Sequence, residues 1–573
     1  MKKSHKTSYW KEFIPKSFTY LNRKNYSWSF FKSDLIAGLT VGVVALPLAM
    51  AFAIAAGLPP ERGLCTAIIA GFLISLLGGS RYQIGGPTGA FVVIIYGIVQ
   101  KCSYEGMVFV TLIAGLILLV AAFSRIGTLV KYIPYPLIIG FTTGIAAIIF
   151  SSQVKDFLGL KIANMPADFI SIWIKVFSSI STIDFTTFGI AFGTLVLIIL
   201  IRRFYPIVPW GITSVIIMTV IAWAFNFQIE TIQSRFGEMK LSFALPDFNN
   251  FASSICQWRS LIPDAVTVAL LAGIESLLSA IVADGMTGGR HRSNCELMAQ
   301  GAANIGSVLF GGIPATGAIA RTATVIKTGA KTPLAGIIHA ITLLFIVLFF
   351  APLVSKIPLA CLSAVLVMVA WNMSEIHHFK HLFKAPLSDI IVLLSTFLMT
   401  VFVDLTAAIE IGMILSVFLF MKRIKETSGL KSLTVLESKY KEDSEKYDME
   451  AIEKKHLPIG VEIFEITGPF FFGVTDCLKN ALTNIEFPPK IFILRMRKVP
   501  MIDASGMHAL LEFNNACKRE KTILFLSGVS AQLLKSLKKF QVIDQIGEKN
   551  IFANLDLALK SAKEILETKV DMQ

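Results

Sequence analysis

The chain has 573 residues, 54% of them hydrophobic and 16% charged, with a formal net charge of +14 and a mean hydropathy of +0.67. Soluble domains carry about 25% charged residues, so the composition excludes an ordinary soluble protein and reads as a polytopic α-helical membrane protein. The surplus of Lys and Arg falls mainly where cytosolic loops are expected, so positive-inside placement accounts for it and no nucleic-acid partner is needed.

Residues 1–33 hold Lys2, Lys3, Lys6, Lys11, Lys16, Arg23, Lys24 and Lys32 against Glu12, and read as a cytosolic N-terminal segment. No cleavable signal is expected, because this basic, aromatic stretch leads into a full-length span. Crossing a bilayer takes about 20 apolar residues. Apolar runs predict spans near 34–56, 63–79, 87–100, 106–124, 133–152, 185–201 and 208–225, then near 262–285, 295–311, 316–330, 333–353, 358–373, 387–403 and 405–421.

The loop charges test this reading. The expected cytosolic loops carry Arg81; Arg125 and Lys131; Arg202 and Arg203; Arg290 and Arg292; Lys331; Lys380 and Lys384; and Lys422, Arg423 and Lys425. The expected outer loops mix signs, as in Glu61-Arg62 and Lys155-Asp156. Fourteen spans as 7+7 put both termini inside, and an odd repeat forces the halves (about 34–225 and 262–425) into opposite orientations. That is the inverted-repeat plan of many secondary transporters.

Residues 34–425 thus form a transport domain, and the charged residues 426–457 read as a linker. Residues 458–567 have the pattern of a small cytosolic α/β domain, followed by a tail at 568–573. Strands are expected at Val461–Ile466, Ile491–Met496 and Ile523–Leu526, and helices at Asp476–Ile485, Met507–Cys517 and Ala531–Phe540.

Two phrases nearly repeat: Gly85-Gly86-Pro87-Thr88-Gly89-Ala90 and Gly311-Gly312-Ile313-Pro314-Ala315-Thr316-Gly317-Ala318. A Pro/Gly break at the same place in both halves is the best sequence pointer to a transporter's substrate site. Half-helices that start at mid-membrane aim free N–H groups and positive dipole ends inward, and two such ends facing each other make an anion site. Thr88 and Thr316 offer hydroxyl donors there, and Phe91 an apolar wall. The plainer alternative is that Gly and Pro only permit tight helix packing; the matched pair favours a site.

Arg321 follows Thr316 by about one turn. A buried Arg costs at least ~2.5–3.5 kcal/mol on insertion scales. It therefore either adds positive potential to the anion site or pairs with a carboxylate. Glu275 lies deep in the eighth span with Ser279 one turn on and on the same face. It suits proton coupling, a cation site if ionised, or a fixed ion pair with Arg321. Asp34 and Asp264 read as span boundaries, and Glu410 as a structural hydrogen-bonder.

The seven cysteines (Cys65, Cys102, Cys256, Cys295, Cys361, Cys477 and Cys517) show no CxxC spacing, so neither a zinc site nor a disulfide framework is expected. His377, His378 and His381 sit in a basic loop without an accompanying Cys, and metal binding is not expected there either. The sequence has no GxxxxGK[ST] loop, which argues against an ATP-driven pump. No cofactor and no enzymatic activity are expected.

These residues resemble the SulP family of anion transporters over most of the chain. The stretches Asp34 to Gly42 and Leu46 to Ala51 look like the family's opening span. Pro60 to Arg81, ending Gly78-Gly79-Ser80-Arg81, resembles its signature, with Arg62 and Cys65 at the usual aromatic places and Leu48 where a polar residue is common. The resemblance implies a uracil-permease-like seven-plus-seven fold, in which a core domain carries substrate against a gate domain, usually in a dimer. It places the substrate at Thr88, Gly89, Ala90 and Phe91 with Ala318, Ile319, Ala320 and Arg321. It associates Glu275 and Ser279 with cation coupling, and Glu where sodium-coupled relatives tend to have Asp favours a proton over sodium.

The C-terminal part resembles the STAS domain through Val499-Pro500-Met501-Ile502-Asp503-Ala504-Ser505-Gly506. In soluble relatives the Ser of this motif is phosphorylated, so the resemblance makes Ser505 a regulatory candidate and a cytosolic partner an expectation. The simpler alternative is that Ser505 is the helix N-cap.

The function expected is secondary active transport of sulfate, bicarbonate or a C4-dicarboxylate across the inner membrane. Proton symport and an elevator-like alternating-access movement are expected with it. A nucleobase:proton symporter of the same fold is one alternative, although that class normally uses more carboxylates and lacks a STAS domain. Others are a STAS-based membrane regulator with little transport, and an anion channel, against which Glu275 argues.

Overall fold

A computed structural model of the chain describes residues 12–21, 26–128, 133–162, 165–166, 168–205, 208–238, 258–403, 405–427, 429–432, 458–471, 478 and 488–570. Residues 1–11, most of the expected linker and the helix expected at Asp476–Ile485, apart from Leu478, lie outside these. The chain divides into two compact units, Met1–Ser416 and Val417–Gln573.

The first unit is helical. It runs α1 (Lys16–Leu21), α2 (Trp28–Ala55), α3 (Pro60–Leu77), a two-residue strand β1 (Gly85–Gly86), α4 (Gly89–Phe123), α5 (Tyr135–Leu158), α6 (Phe169–Ser178), α7 (Phe185–Phe204), α8 (Trp210–Ala224) and α9 (Ile232–Phe236). It continues with α10 (Trp258–Thr287), α11 (Ser293–Leu309), a second short strand β2 (Thr316–Gly317), α12 (Ile319–Lys327), α13 (Leu334–Val354), α14 (Leu359–Met373), α15 (Ile376–Leu382), α16 (Leu387–Phe402) and the start of α17 (Leu405–Thr427).

Local chemistry sets many of these limits. The Ser27 hydroxyl accepts from the Phe30 N–H at the start of α2, and the Asp168 and Asp184 carboxylates cap α6 and α7. Pro60 opens α3, where its missing N–H costs nothing. Gly159 ends α5 with a left-handed φ of 66°.

Among the described residues, 8 helical stretches are long and apolar enough to cross a membrane. The expected spans 87–100 and 106–124 are the two limbs of α4, which breaks at Cys102–Ser103, where Ser103 has φ 58°. The expected span 316–330 shrinks to the 9 residues of α12. Residues 153–184 contain α6, an apolar helix of 10 residues that a span-length window passes over.

Helices from the two predicted halves interleave. α2 lies along α13, α3 along α11 and α13, α4 along α10 and α11, and α5 along α14 and α16. Small residues set the spacing, as expected where lipid gives no hydrophobic drive between helices. A Cβ on Gly301 of α11 would sit 2.7 Å from the Gly115 carbonyl of α4, and one on Gly140 of α5 2.5 Å from the Leu393 carbonyl of α16.

The second unit is an α/β domain. β3 (Gly429–Ser432) runs antiparallel to β4 (Val461–Thr467). Beyond β4 lie the parallel strands β5 (Ile491–Lys498), β6 (Ile523–Ser527) and β7 (Ile551–Phe552), in the order β3-β4-β5-β6-β7. The helices are α18 (Ala504–Arg519), α19 (Ala531–Lys539), α20 (Val542–Ile546) and α21 (Leu555–Val570).

Both faces of this sheet are covered. Phe492 and Leu494 pack with Leu510 and Phe513 on one side, and Ile491, Ile493 and Phe525 with Ala558 and Ala562 on the other. That is why Ile491–Met496 shows few polar interruptions: a strand buried on two faces loses the alternating pattern. β3 lies within the stretch read as a linker. Its 4 residues follow a charged stretch and have no periodicity of their own, so only pairing with β4 reveals them as a strand.

Candidate functional site

The two Gly/Pro phrases meet in the structure. β1 and β2 pair antiparallel, with Gly85 opposite Gly317 and Gly86 opposite Thr316. The Ala318 N–H extends the pairing by donating to the Ile84 carbonyl at 2.8 Å. α4 and α12 begin immediately beyond this bridge, so the two helix starts converge. Neither start is capped by a side chain, which leaves the first-turn N–H groups for water or an anion.

Glycine is required at the crossing. Gly86 has φ +147°, and a Cβ there would come within 2.6 Å of Arg321 Nη1. A Cβ on Gly317 would fall 1.5 Å from Gln83 Nε2.

The predicted residues divide by what they touch. The Thr88 hydroxyl, at the N-cap of α4, donates to Glu275 Oε2 at 2.8 Å. Thr88 and Glu275 are half-buried, and Ile319 and Ala320 at the start of α12 are exposed, so an accessible space borders the two helix starts. Arg321 is 3% exposed. Its Nη2 donates to the Pro87 carbonyl, and its Nη1 has no partner among the described residues. No ion pair joins Arg321 to Glu275. The arginine of the second phrase therefore reaches back to the first and keeps one buried donor unspent.

The other predicted residues are buried. Phe91 and Ala90 are fully buried. Gly89 faces Met373, Ile149 and Phe52, and Ala318 is the N-cap of α12. The Thr316 hydroxyl donates to the Ala272 carbonyl of α10 at 2.8 Å and is fully buried. Ser279 donates to the Thr322 hydroxyl at 3.1 Å, which in turn accepts from the Ile84 N–H at 3.1 Å. Thr316 and Ser279 thus fasten α10 to the β1–β2 crossing.

Sequence reading passed over the carboxylate that organises this crossing. Glu296 is fully buried on α11. Its Oε2 accepts from the Gly79 and Ser80 N–H groups at 2.9 and 3.0 Å, and its Oε1 from the Ser276 hydroxyl and the Gln300 amide at 3.2 Å each. Gln83 donates to both the carbonyl and the hydroxyl of Ser276 at 3.1 Å. The connection from α3 to β1 is thereby tied to α10 at the residue after Glu275. The signal was present: Glu296, Gln300 and Asn304 recur at helical spacing on one face.

Three further polar residues inside the helical unit were also missed. Asp34, read as a span boundary, is fully buried within α2 and accepts from the Lys331 and Thr332 N–H groups at 2.6 and 3.0 Å. Arg62, a departure from the family signature, donates to the Gly311 carbonyl at 2.9 Å and lies 4.1 Å from the Tyr104 ring centroid. His339 is fully buried with neither ring nitrogen partnered among the described residues. Glu410, read as a structural hydrogen-bonder, is exposed.

In the second unit the cap of α18 is Asp503, whose carboxylate accepts from the Gly506 N–H at 2.7 Å. Ser505 is not the N-cap; it is the second residue of the helix and is exposed. Aspartate wins the position because its carboxylate caps as well as a hydroxyl and adds charge at the positive helix end.

Comparison with known proteins gives the family and the fold. The model of the sulfate permease family matches residues 31–396, and that of the STAS domain residues 453–558. The chain is similar to the putative sulfate transporter YvdB of Bacillus subtilis, 39% identical over 93% of this chain and 98% of that protein. It is 28% identical to the bicarbonate transporter BicA of Picosynechococcus over 93% of this chain and 94% of that protein. The fold resembles that of the murine solute carrier 26 family member A9 anion transporter, with a TM-score of 0.85, 18% identity, and coverage of 98% and 96%.

Proposed function

The chain belongs to the sulfate permease family of multi-pass membrane transporters and carries a C-terminal STAS domain, and from this premise we propose that it takes up a small anion by proton-coupled secondary transport. The observation that carries the proposal is the antiparallel β1–β2 bridge, which seats two uncapped helix starts side by side with Glu275 and Arg321. Backbone N–H groups and helix dipoles hold an anion without a dedicated lysine. The unspent Arg321 Nη1 adds positive charge behind them.

Glu275 supplies the coupling. While ionised it accepts from Thr88 and repels a second negative charge nearby. Once protonated it is neutral, its own O–H can donate, and the Thr88 hydroxyl is released toward the helix start and an incoming anion. Proton and anion then bind together, as symport requires. Sodium in place of the proton is the second coupling reading, to be separated by the same assay.

The relatives' names support sulfate or bicarbonate as the cargo, and a C4-dicarboxylate is the organic alternative. The wider proposal includes fourteen spans as inverted repeats, a core unit moving elevator-like past a gate, a homodimer in the inner membrane, and both termini in the cytosol. Ser505, exposed in the first turn of α18, is proposed as a phosphate acceptor through which a cytosolic partner tunes transport.

Uptake of labelled sulfate, bicarbonate and succinate into proteoliposomes, with and without an imposed pH gradient, tests this. Acceleration of one of them by an inward proton gradient is expected. Competition by uracil but by no anion would assign the site to a nucleobase instead. If deleting residues 458–573 abolished the cellular phenotype while Thr88 and Arg321 substitutions were silent, the protein would be a regulator.

A further inference from the structure

We infer that His339 is a positioning residue for Arg321: through a buried water its imidazole takes the Nη1 N–H, and so fixes the guanidinium behind the paired helix starts without neutralising it. This rests on the transport reading above and adds a residue to its site. His339 belongs to α13 and is fully buried, and neither of its ring nitrogens has a partner among the described residues. Arg321 Nη1 is buried and unpartnered in the same way. Buried polar groups are rarely left unpaired.

α3 fixes where the two side chains stand. Its Ala67 and Gly71 are four residues apart and share one face. A Cβ on Gly86 would lie 2.6 Å from Arg321 Nη1 and 3.4 Å from the Ala67 Cα. A Cβ on Gly71 would lie 3.2 Å from the Gly85 carbonyl oxygen and 3.5 Å from His339 Nδ1. Arg321 and His339 therefore stand beside consecutive residues of β1, about one turn of α3 apart, roughly 5–6 Å. Two hydrogen bonds of about 2.9 Å in series span that distance, so one water joins Nη1 to Nδ1. A buried water makes about three hydrogen bonds, and the Gly85 carbonyl stands beside Nδ1 as a third partner. The charge of Arg321 also reaches His339.

Histidine suits this place for a physical reason. A carboxylate would pair with Arg321 and cancel the charge that draws the anion. An apolar side chain would leave Nη1 buried and unpaired. An imidazole offers an acceptor nitrogen and no negative charge. The plainer role for His339 is packing, since its backbone carbonyl lies against Gly42 of α2 and its ring against Gly71 of α3. The two roles order substitutions oppositely. For packing, Leu fills the space and the smaller Asn leaves a gap. For positioning, Asn keeps a polar atom near the place of Nδ1 and Leu removes it.

The test is initial-rate uptake of labelled sulfate, with bicarbonate in parallel, by the full chain in proteoliposomes. H339L is expected to raise KM roughly 3–10-fold, and H339N to stay within about 2-fold of wild type. A wild-type KM for H339L, or a larger rise for H339N than for H339L, overturns the positioning role. Should H339L not insert, H339M, which fits irregular gaps, takes its place in the same comparison.

Thermal unfolding in detergent reads the pairing without transport. The melting-temperature shifts of H339L and R321Q should be smaller together than their sum, because either change breaks the same bridge. Additive shifts overturn the bridge. Wild-type protein that carries neither anion overturns the transport reading, while the unfolding cycle still decides whether His339 holds Arg321.

Discussion

The two Gly/Pro phrases are near-copies in sequence and do different work. The first leads into α4, 35 residues long, and its Thr88 hydroxyl points to Glu275. The second leads into α12, 9 residues long, and its Thr316 hydroxyl is locked onto the Ala272 carbonyl. Symmetry in the backbone brings two helix starts together, because antiparallel pairing needs only main chain and small residues. Asymmetry in the side chains separates the two: the first phrase faces the Glu275 carboxylate, and the second is braced and supplies Arg321.

The largest contrast should come from the glycines that occupy the same place in each phrase. Gly317→Ala places a methyl 1.5 Å from Gln83 Nε2 and 3.2 Å from the Ser276 backbone, whereas Gly89→Ala meets the flexible Met373 sulfur at 2.8 Å. Gly317→Ala is expected to cost about 3 kcal/mol or more and to abolish uptake. Gly89→Ala should remain a folded, monodisperse protein. Size-exclusion profiles and thermal unfolding in detergent check both.

A second contrast separates the two buried carboxylates. Glu296→Gln removes a negative acceptor from four donors and should destabilise the protein by about 2 kcal/mol. It leaves Glu275 in place, so the response of residual uptake to a pH gradient should persist.

The threonines give a smaller effect with a clear split. Thr88→Val should lower kcat/KM for uptake several-fold with little change in melting temperature. Thr316→Val should cost about 1 kcal/mol of stability and leave the kinetics of the surviving protein near wild type.

The smallest effect tests the cap of α18. Asp503→Ala should cost about 1 kcal/mol, and Ser505→Ala less than about 0.5 kcal/mol, measured by unfolding of the full chain in detergent.

Much of the candidate site's geometry was legible because its signals are local. A proline and glycines interrupt two apolar runs at matching places, and Glu275 and Arg321 are charges inside such runs, which cost too much to be idle. The strands of the second unit were legible from short apolar runs bounded by turns.

What escaped depends on contacts distant in sequence. Glu296 lies close to the start of its helix, where an acid reads as a solvated end, and only folding brings Gly79, Ser80 and Ser276 onto it. Asp34 looked like a boundary for the same reason, although its partners Lys331 and Thr332 lie in the other half. The break at Cys102–Ser103 has no proline to announce it. Ser505 was weighed as a cap, yet Asp503, two residues earlier, holds the Gly506 N–H.

The most direct test of the central claim is the pH response of Glu275→Gln in proteoliposomes. Wild-type uptake of labelled anion should accelerate under an inward proton gradient. Glu275→Gln should give the same slow uptake with and without the gradient while still binding the anion in detergent. A Glu275→Gln protein whose uptake rises with the gradient as the wild type's does would contradict coupling at the paired helix starts.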